Sequence, residues 1–211
     1  MKDFIHVYEN QFSNDLCDRL ITLFENCDRK NVTMQGDSGI RNISDVKKQS
    51  RDIDLHRDFA QGKFAIKLGG RDKSLYSDIK TNIDAPILEY VNCNIPNFRG
   101  ETDYLSLDYS KNIFMPVQPF KIKRYRAPSE GYHAWHQDWG KGVAQKRMLV
   151  VMIYLNDVSE GGETVFYHQG IKVKPEKGKM VIFPPYFTHM HKGNKPISND
   201  KYICNCYIGI N

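Results

Sequence analysis

The chain has 211 residues, of which 40% are hydrophobic and 12% aromatic, and its formal net charge is +5. This length and composition predict a single globular domain, residues 1–211, with enough apolar side chains for a sizeable core. No apolar run approaches the roughly 18 residues of a membrane helix, and residues 1–12 lack the basic and apolar segments of a secretory signal. We therefore expect a cytoplasmic protein without a membrane partner. These properties do not specify an oligomeric state.

The distribution of basic residues and cysteines argues against two further classes. The basic residues are spread along the chain, and the densest group, residues 121–126, is interleaved with other residues as in a strand. No nucleic-acid partner is therefore expected. No two of the five cysteines have the Cys-x-x-Cys spacing, which argues against a disulfide framework and a structural zinc site. We expect reduced cysteines that mostly line the core or a pocket.

Residues 1–100 are predicted to form a helical support for the rest of the chain. Ser13 is a favourable N-cap residue for a first helix, because apolar residues with helical spacing follow it. A second helix is predicted to start at Ser74, since apolar residues recur every four positions from 75 to 87. Pro86 predicts a kink in this helix or the end of its first part.

A polar stretch, residues 28–71, separates the two helices. It contains glycine-rich loop signals and one predicted strand near residues 49–55. The stretch is long enough to form a lid over a cleft, and its glycines would permit such a lid to close.

Residues 101–211 have the alternation of apolar and polar residues that is typical of strands. Clusters of glycine, proline, asparagine and aspartate separate eight predicted strands, near residues 102–109, 118–126, 147–155, 163–167, 171–174, 179–183, 187–191 and 201–209. Eight short strands after two helices predict a mainly β protein with helical support, in the α+β class. We expect a double-stranded β-helix core of the jelly-roll or cupin type, with the N-terminal helices packed on one sheet.

The tripeptide from His136 to Asp138 is a candidate metal-binding motif. Side chains two residues apart on a strand point to the same face, so His136 and Asp138 are predicted to face one cavity. With a second imidazole from a distant strand they would form the facial triad that binds non-haem Fe(II) and leaves three positions open. His189 and His191 both lie on a later predicted strand and compete for that third position. Two histidines and one carboxylate also suit a zinc enzyme.

Four segments together resemble the Fe(II)/2-oxoglutarate dioxygenase superfamily, and most closely its prolyl 4-hydroxylase-like branch. They are HQD at 136–138, YLNDVSEGGETVF at 154–166, KGKMVIFPP at 177–185, and a later histidine followed by a lysine. The resemblance covers residues 121–208. The segment at 154–166 is its most specific part.

The resemblance implies which residues bind the metal and the co-substrate. The family's distal histidine precedes, by a fixed short interval, a lysine that binds the far carboxylate of 2-oxoglutarate, and His191 and Lys201 have that interval. His191 is therefore preferred over His189 as the third metal ligand. Tyr125 and Thr164 match family positions that contact the same carboxylate.

The resemblance also implies the reaction. Fe(II) would be the cofactor, 2-oxoglutarate and O₂ the co-substrates, and ascorbate a supporting reductant. Oxidative decarboxylation of 2-oxoglutarate to succinate and CO₂ would accompany hydroxylation of a C–H bond, with a prolyl residue of a peptide or protein as the first-choice substrate. The alternatives are a hydroxylase of a free amino acid or small metabolite, and a catalytically silent cupin-like binding module.

Four residues are candidates for contact with the substrate. Arg147 matches a position where some peptide hydroxylases carry an arginine, and Trp135 and Trp139 flank the metal motif. His189 is expected to neighbour the pocket. The family often has Tyr-Glu-Pro where this chain has YHAW at 132–135. This departure does not touch the metal ligands, so it bears on the choice of substrate.

Overall fold

The computed structural model describes residues 3–36, 48–55, 74–94 and 114–210. These ranges contain two helices, α1 (Asn14–Arg29) and α2 (Leu75–Asn94). Their strands are β1 (His6–Tyr8), β2 (Met34–Gln35), β3 (Arg51–Leu55), β4 (Phe114–Pro116), β5 (Phe120–Tyr125), β6 (Tyr132–His136), β7 (Arg147–Tyr154), β8 (Thr164–Phe166), β9 (Lys172–Val173), β10 (Met180–Phe183), β11 (His191–Gly193) and β12 (Lys201–Ile210). Neither helix has the length and hydropathy required to cross a membrane.

The strands form two sheets of unequal size. The major sheet has the order β1-β10-β7-β12-β5-β3-β2, and β4 also pairs with β12. The minor sheet has the order β6-β11-β8-β9, and all pairings in both sheets are antiparallel. The two sheets face each other and enclose a cavity, which is the double-stranded β-helix arrangement that the strand pattern predicts.

The major sheet separates two hydrophobic clusters because its side chains alternate between its faces. On β7, Val151 and Ile153 belong to the cluster formed with the helices, whereas Val150 and Tyr154 belong to the cluster between the sheets. Cys204 and Cys206 are buried, free, and on the helical side. They are therefore core residues, in agreement with the prediction, and they do not line the cavity.

Helix α1 begins where its sequence predicts. The Ser13 side chain accepts a hydrogen bond from the Leu16 N–H at 3.2 Å, which satisfies one of the free donors of the first turn. The buried face of α1, which includes Leu20 and Phe24, packs on the major sheet.

Helix α2 runs through Pro86 to Asn94 without ending at the proline. Proline has no N–H, so the carbonyl of Asn82, four residues earlier, loses its partner within the helix. The side-chain amide of Gln11 donates to that carbonyl at 2.7 Å. A residue far away in the sequence thus compensates for the missing helical hydrogen bond, and the helix continues.

Three strand predictions need correction. Residues 187–189 form a short 3₁₀ helix, and the strand that follows is β11, His191–Gly193. Asp138 lies two residues beyond the end of β6 and not on a strand. The sequence patterns also did not indicate β1, β2 or β4, because strands of two or three residues at a sheet edge have little periodicity. The predicted strand at 102–109 lies outside the described residues.

The predicted lid, residues 28–71, is only partly described. Its described parts include the end of α1, strand β2 and strand β3, which extend the major sheet beyond β5. The strand predicted near 49–55 corresponds to β3.

Candidate active site

The cavity between the two sheets has a volume of about 1110 Å³. Its floor is the inner face of β5, β7 and β12, and residues of the minor sheet and of the loop after β6 form the opposite wall. Every residue that the sequence singles out as a candidate, except His189, lines this cavity: Tyr125, Trp135, His136, Asp138, Trp139, Arg147, Thr164, His191 and Lys201.

His136, Asp138 and His191 form the one group of potential metal ligands found in the described part of the chain. Their ligand atoms all lie within 4.8 Å of one another. His136 is the last residue of β6 and His191 is the first of β11, and the two are direct cross-strand partners. Asp138 reaches the same point from the loop, where its backbone N–H donates to the Pro185 carbonyl at 2.9 Å. The turn after β6, rather than strand alternation, therefore brings the carboxylate to the histidines.

Both histidines are held with the same ring nitrogen free. The Nδ1 of His136 donates to the Ala134 carbonyl, and the Nδ1 of His191 donates to the His189 carbonyl, each at 3.0 Å. A carbonyl can only accept, so each Nδ1 carries the proton and each Nε2 has a free lone pair. Tyr132 also stacks on the His136 ring, with centroids 3.6 Å apart. The rings are thus oriented for coordination through Nε2.

The charges of His136 and Asp138 suit a metal ion as well. Burial lowers the pKa of His136 to about 3, so this ring is neutral at pH 7. Burial alone would raise the pKa of Asp138, but its contact with His191, whose Nε2 lies 3.4 Å from the carboxylate, and the nearby positive charges hold that pKa well below its usual range. Neutral imidazole and ionised carboxylate are the forms that coordinate metals. The donor set fits Fe(II) with further positions open for other ligands.

Lys201 lines the same cavity as the triad. Its ammonium donates to the Gly162 carbonyl at 2.8 Å and lies 5.0 Å from the centre of the Tyr125 ring, its cross-strand neighbour. Thr164 is buried nearby, and its hydroxyl oxygen accepts a hydrogen bond from the Tyr154 hydroxyl at 2.7 Å. Burial lowers the pKa of Lys201 to about 8, partly opposed by Glu163. One ammonium and two hydroxyls thus form a compact subsite for a carboxylate.

The Gly161-Gly162 pair is required by this geometry. Both residues have positive φ, 74° and 75°, which residues with a Cβ rarely adopt. A Cβ on Gly161 would also lie 2.4 Å from the Lys195 carbonyl oxygen. Because the turn is tight, the Gly162 carbonyl reaches the Lys201 ammonium.

His189 is buried but does not line the cavity. Its Nε2 donates to the Asp3 carbonyl at 2.8 Å, and its Nδ1 is 2.9 Å from the Thr188 hydroxyl. The prediction that His189 and His191 share a strand face does not hold, because His189 ends a 3₁₀ helix. Its side chain ties the N-terminal segment to this loop, and only its backbone carbonyl contacts the metal site. We propose no substrate contact for it.

Arg147 supports the loop that carries Asp138. Its guanidinium donates to the Asp138 backbone carbonyl and to the Gln118 side chain, and stacks 3.5 Å from the centre of the Tyr207 ring. The Tyr207 hydroxyl in turn donates to the Asp138 carboxylate at 3.0 Å. Sequence reasoning missed Tyr207, which stands on the last strand with no motif around it. Arg147 therefore acts here as a positioning residue.

We expect Arg147→Met to weaken Fe(II) binding about tenfold, because loss of such supporting contacts typically costs 10–100-fold in metal affinity. Anaerobic titration with Fe(II) measures this. Arg147→Lys should restore it only in part, since an ammonium cannot reproduce the planar stacking on Tyr207. Lys146→Met, an exposed neighbour, is the control. Unchanged iron affinity in Arg147→Met would contradict the supporting role.

Two tryptophans mark the mouth of the cavity. Trp135 and Trp139 are 38% and 42% exposed although both line the cavity, and Phe187 beside them is 69% exposed. Trp135 also packs edge-on to Tyr167, with centroids 5.0 Å apart. Exposed aromatic side chains at the edge of a cleft are typical of a surface that binds an extended ligand.

Residues 120–209 match the family model of the 2OG-Fe(II) oxygenase superfamily, and they include the whole ligand triad and Lys201. The matched segment is the β-helix core that carries the motifs at 136–138 and 154–166, and in this segment the chain resembles the superfamily.

The proteins similar to the chain include prolyl hydroxylases. It is 24% identical over 197 residues to a probable prolyl 4-hydroxylase of Arabidopsis thaliana, an alignment covering 85% of this chain and 52% of the relative. The chain thus spans about half the length of that relative.

Two solved structures show the same fold. A prolyl hydroxylase from Trichoplax adhaerens, in complex with a hypoxia-inducible-factor peptide, has a TM-score of 0.70 at 15% identity, with 99% of this chain and 84% of that chain covered. A viral collagen prolyl hydroxylase from Paramecium Bursaria Chlorella virus-1, in a 2OG complex, has a TM-score of 0.62 at 18% identity, with 99% and 97% covered.

Proposed function

We propose that this protein is an Fe(II)- and 2-oxoglutarate-dependent hydroxylase that acts on a prolyl residue of a peptide or protein. One observation carries the proposal. A two-histidine, one-carboxylate triad and a buried, carboxylate-binding lysine subsite face the same cavity. Hydrolysis by a zinc enzyme does not require a buried lysine such as Lys201. A catalytically silent binding module does not require both a metal triad and a carboxylate-binding lysine.

In this proposal His136, Asp138 and His191 hold Fe(II). Lys201, assisted by Thr164 and Tyr125, binds the far carboxylate of 2-oxoglutarate, while the oxo-acid end reaches the metal. When bound, iron and co-substrate supply the oxidative chemistry that converts 2-oxoglutarate and O₂ to succinate and CO₂ and hydroxylates a C–H bond.

The protein's own contribution is orientation and shelter. The carbonyls of Ala134 and His189 hold the rings of His136 and His191 with Nε2 towards the metal, and Tyr207 aligns the Asp138 carboxylate. The apolar cluster between the sheets, which includes Phe166 and Phe183, lies beside the triad and limits access of water to it.

The prolyl substrate is proposed because the similar proteins described above are a probable prolyl 4-hydroxylase and two prolyl hydroxylases of known structure. The open, aromatic mouth of the cavity suits an extended peptide better than a free amino acid, which would need a closed pocket. Neither alternative from the sequence is favoured by an observation on the site.

The test is an assay with Fe(II), 2-oxoglutarate, ascorbate and a panel of proline-containing peptides. We expect succinate to form and mass spectrometry to show the gain of one oxygen on a prolyl residue, with both signals absent in His136→Ala. Succinate without oxidised peptide would support the oxygenase chemistry and contradict the prolyl substrate. Tightly bound zinc, with no succinate under any condition, would contradict the proposal as a whole.

A further inference from the structure

Lys123 is a buried lysine on the floor of the active-site cavity. It stands on β5 between Lys121 and Tyr125, and all three side chains face the cavity because they alternate with the outward-facing Ile122. Lys123 is 7% exposed. Within the described ranges its ammonium makes no hydrogen bond and no ion pair at 4.0 Å or less. A buried cation without such a partner is unusual, because its burial is not compensated.

The neighbouring carboxylates are engaged by other lysines. Asp52, the cross-strand neighbour of Lys123 on β3, lies 3.6 Å from the Lys48 ammonium. Asp54 lies 3.3 Å from the ammonium of Lys121. Lys123 is therefore the surplus positive charge on this wall of the cavity.

The metal and co-substrate do not neutralise Lys123 either. In the proposed complex the formal charges of these groups sum to zero. The positive charges of Fe(II) and the Lys201 ammonium balance the negative charges of the Asp138 carboxylate and the dianionic 2-oxoglutarate. Burial lowers the pKa of Lys123 to about 7, and the charge of Lys48 acts in the same direction. An anion in the cavity would reverse this effect and stabilise the ammonium.

A second polar group points to the same ligand position. Asn205, on β12, is 5% exposed and lines the cavity, and its side-chain oxygen is buried with no hydrogen-bond partner among the described residues. Asn205 pairs with Lys121 and Lys123 pairs with Ile203, so Lys123 and Asn205 are diagonal neighbours. The Lys123 ammonium can donate a hydrogen bond to a carboxylate, and the Asn205 side-chain oxygen can accept one from an N–H. The pair therefore suits a peptide segment in which a carboxylate lies near a backbone N–H.

We propose that Lys123, with Asn205 beside it, forms an anion subsite that binds a carboxylate of the peptide substrate close to the hydroxylated residue. The carboxylate is either an acidic side chain or the C-terminus of the peptide. Tyr125 is the cross-strand partner of Lys201, and Lys123 lies two residues from Tyr125 on the same strand. The subsite is therefore about 6.7 Å along the sheet from the position of Lys201. This inference rests on the proposed function and specifies its substrate class.

The test measures binding without turnover. The protein, loaded with Mn(II) and 2-oxoglutarate under anaerobic conditions, is titrated by calorimetry with blocked proline-centred pentapeptides that carry Asp or Asn at each flanking position. The Asn peptide with a free C-terminal carboxylate distinguishes the two sources of the anion. We expect one carboxylate peptide to bind at least about tenfold tighter than its neutral counterpart, as for a hydrogen bond to a charged group.

Three variants assign the preference to Lys123. Lys123→Met should abolish it and Lys123→Arg should keep it. Lys121→Met should also keep it, because the charge of Lys121 is already paired with Asp54. Lys123→Met removes a buried charge without a partner, so its melting temperature should equal or exceed that of the wild type, which separates a binding defect from misfolding.

Equal affinity for charged and neutral peptides, a preference that persists in Lys123→Met, or no peptide binding at all would each overturn the subsite. A loss of 2-oxoglutarate affinity in Lys123→Met would instead assign Lys123 to the co-substrate and also overturn it. These outcomes leave iron- and 2-oxoglutarate-dependent succinate formation unaffected. Failure of the proposed function would appear as the absence of that reaction in the wild type.

Discussion

His191→Ala is expected to abolish succinate formation and to weaken Fe(II) binding at least about a hundredfold, whereas His189→Ala should retain both. Removal of His191 leaves only two protein ligands for the metal. Loss of a residue that merely supports a ligand typically lowers metal affinity 10–100-fold, so loss of a ligand should lower it at least as much. His189 has both ring nitrogens engaged away from the cavity. Anaerobic Fe(II) titration and a succinate assay measure the two effects.

The two histidines form a matched pair, since both are buried and stand two residues apart. His189→Ala should lower the melting temperature, because the Asp3 carbonyl and the Thr188 hydroxyl lose a buried partner. His191→Ala should lower it less in the metal-free protein. Iron binding that survives in His191→Ala and disappears in His189→Ala would reverse the assignment of the third ligand.

Lys201→Met is expected to raise the Kd for 2-oxoglutarate about a hundredfold while Fe(II) binding stays unchanged. Removing one partner of a buried charge pair costs about 2–5 kcal/mol, which includes the cost of leaving the carboxylate unpaired. Anaerobic titration of the iron-loaded protein with 2-oxoglutarate measures the change. Lys174→Met, which removes an exposed lysine, is the control.

2-Oxobutyrate tests whether the lysine acts on the far carboxylate. This 2-oxo acid keeps the metal-binding end and lacks the far carboxylate, so its Kd should be the same in the wild type and in Lys201→Met. If Lys201→Met instead lost affinity equally for both acids, Lys201 would support the metal site and would not bind the far carboxylate.

The affinity for 2-oxoglutarate should also depend on pH. Burial lowers the pKa of Lys201 to about 8 in the free protein, so below pH 8 the ammonium is charged and attracts the carboxylate. Above pH 8 the free protein loses this proton, and the Kd should increase with pH. Lys201→Arg should show no such increase, because a guanidinium stays charged throughout this range. A wild-type Kd that is constant from pH 7 to 9.5 would contradict this assignment.

The parts of this protein that sequence reasoning could predict are those that depend on local periodicity. The N-cap at Ser13, helix α2 and the long inner strands β7 and β12 follow from side-chain alternation and capping chemistry, which act within a few residues. The edge strands β1 and β4 were not predicted. Such strands are specified mainly by the partner strand that they meet, and that partner is distant in the sequence.

Helix α2 shows the same limit in its interior. The proline rule predicts a kink or an end at Pro86, and the sequence near it offers nothing to replace the missing hydrogen bond. Gln11 supplies the replacement from a distance of 71 positions, and only the packing of the N-terminal segment on α2 makes that contact.

By itself, the sequence predicted a mainly β chain and a metal site of two histidines and one carboxylate, because strand alternation and residue spacing are local. The predicted 2-oxoglutarate site came from the resemblance of its motifs to the dioxygenase superfamily. Only the tertiary structure showed that His191, and not His189, lies beside His136 and Asp138. Both histidines were predicted on one strand, but His189 belongs to a 3₁₀ helix that ends before that strand. The tertiary structure also brought Asp138 to the histidines through a loop, and it buried Lys123 in the same cavity without an ion-pair partner among the described residues. Distances and charge balance within a cavity depend on which strands become neighbours, and this is determined by the packing of the whole chain.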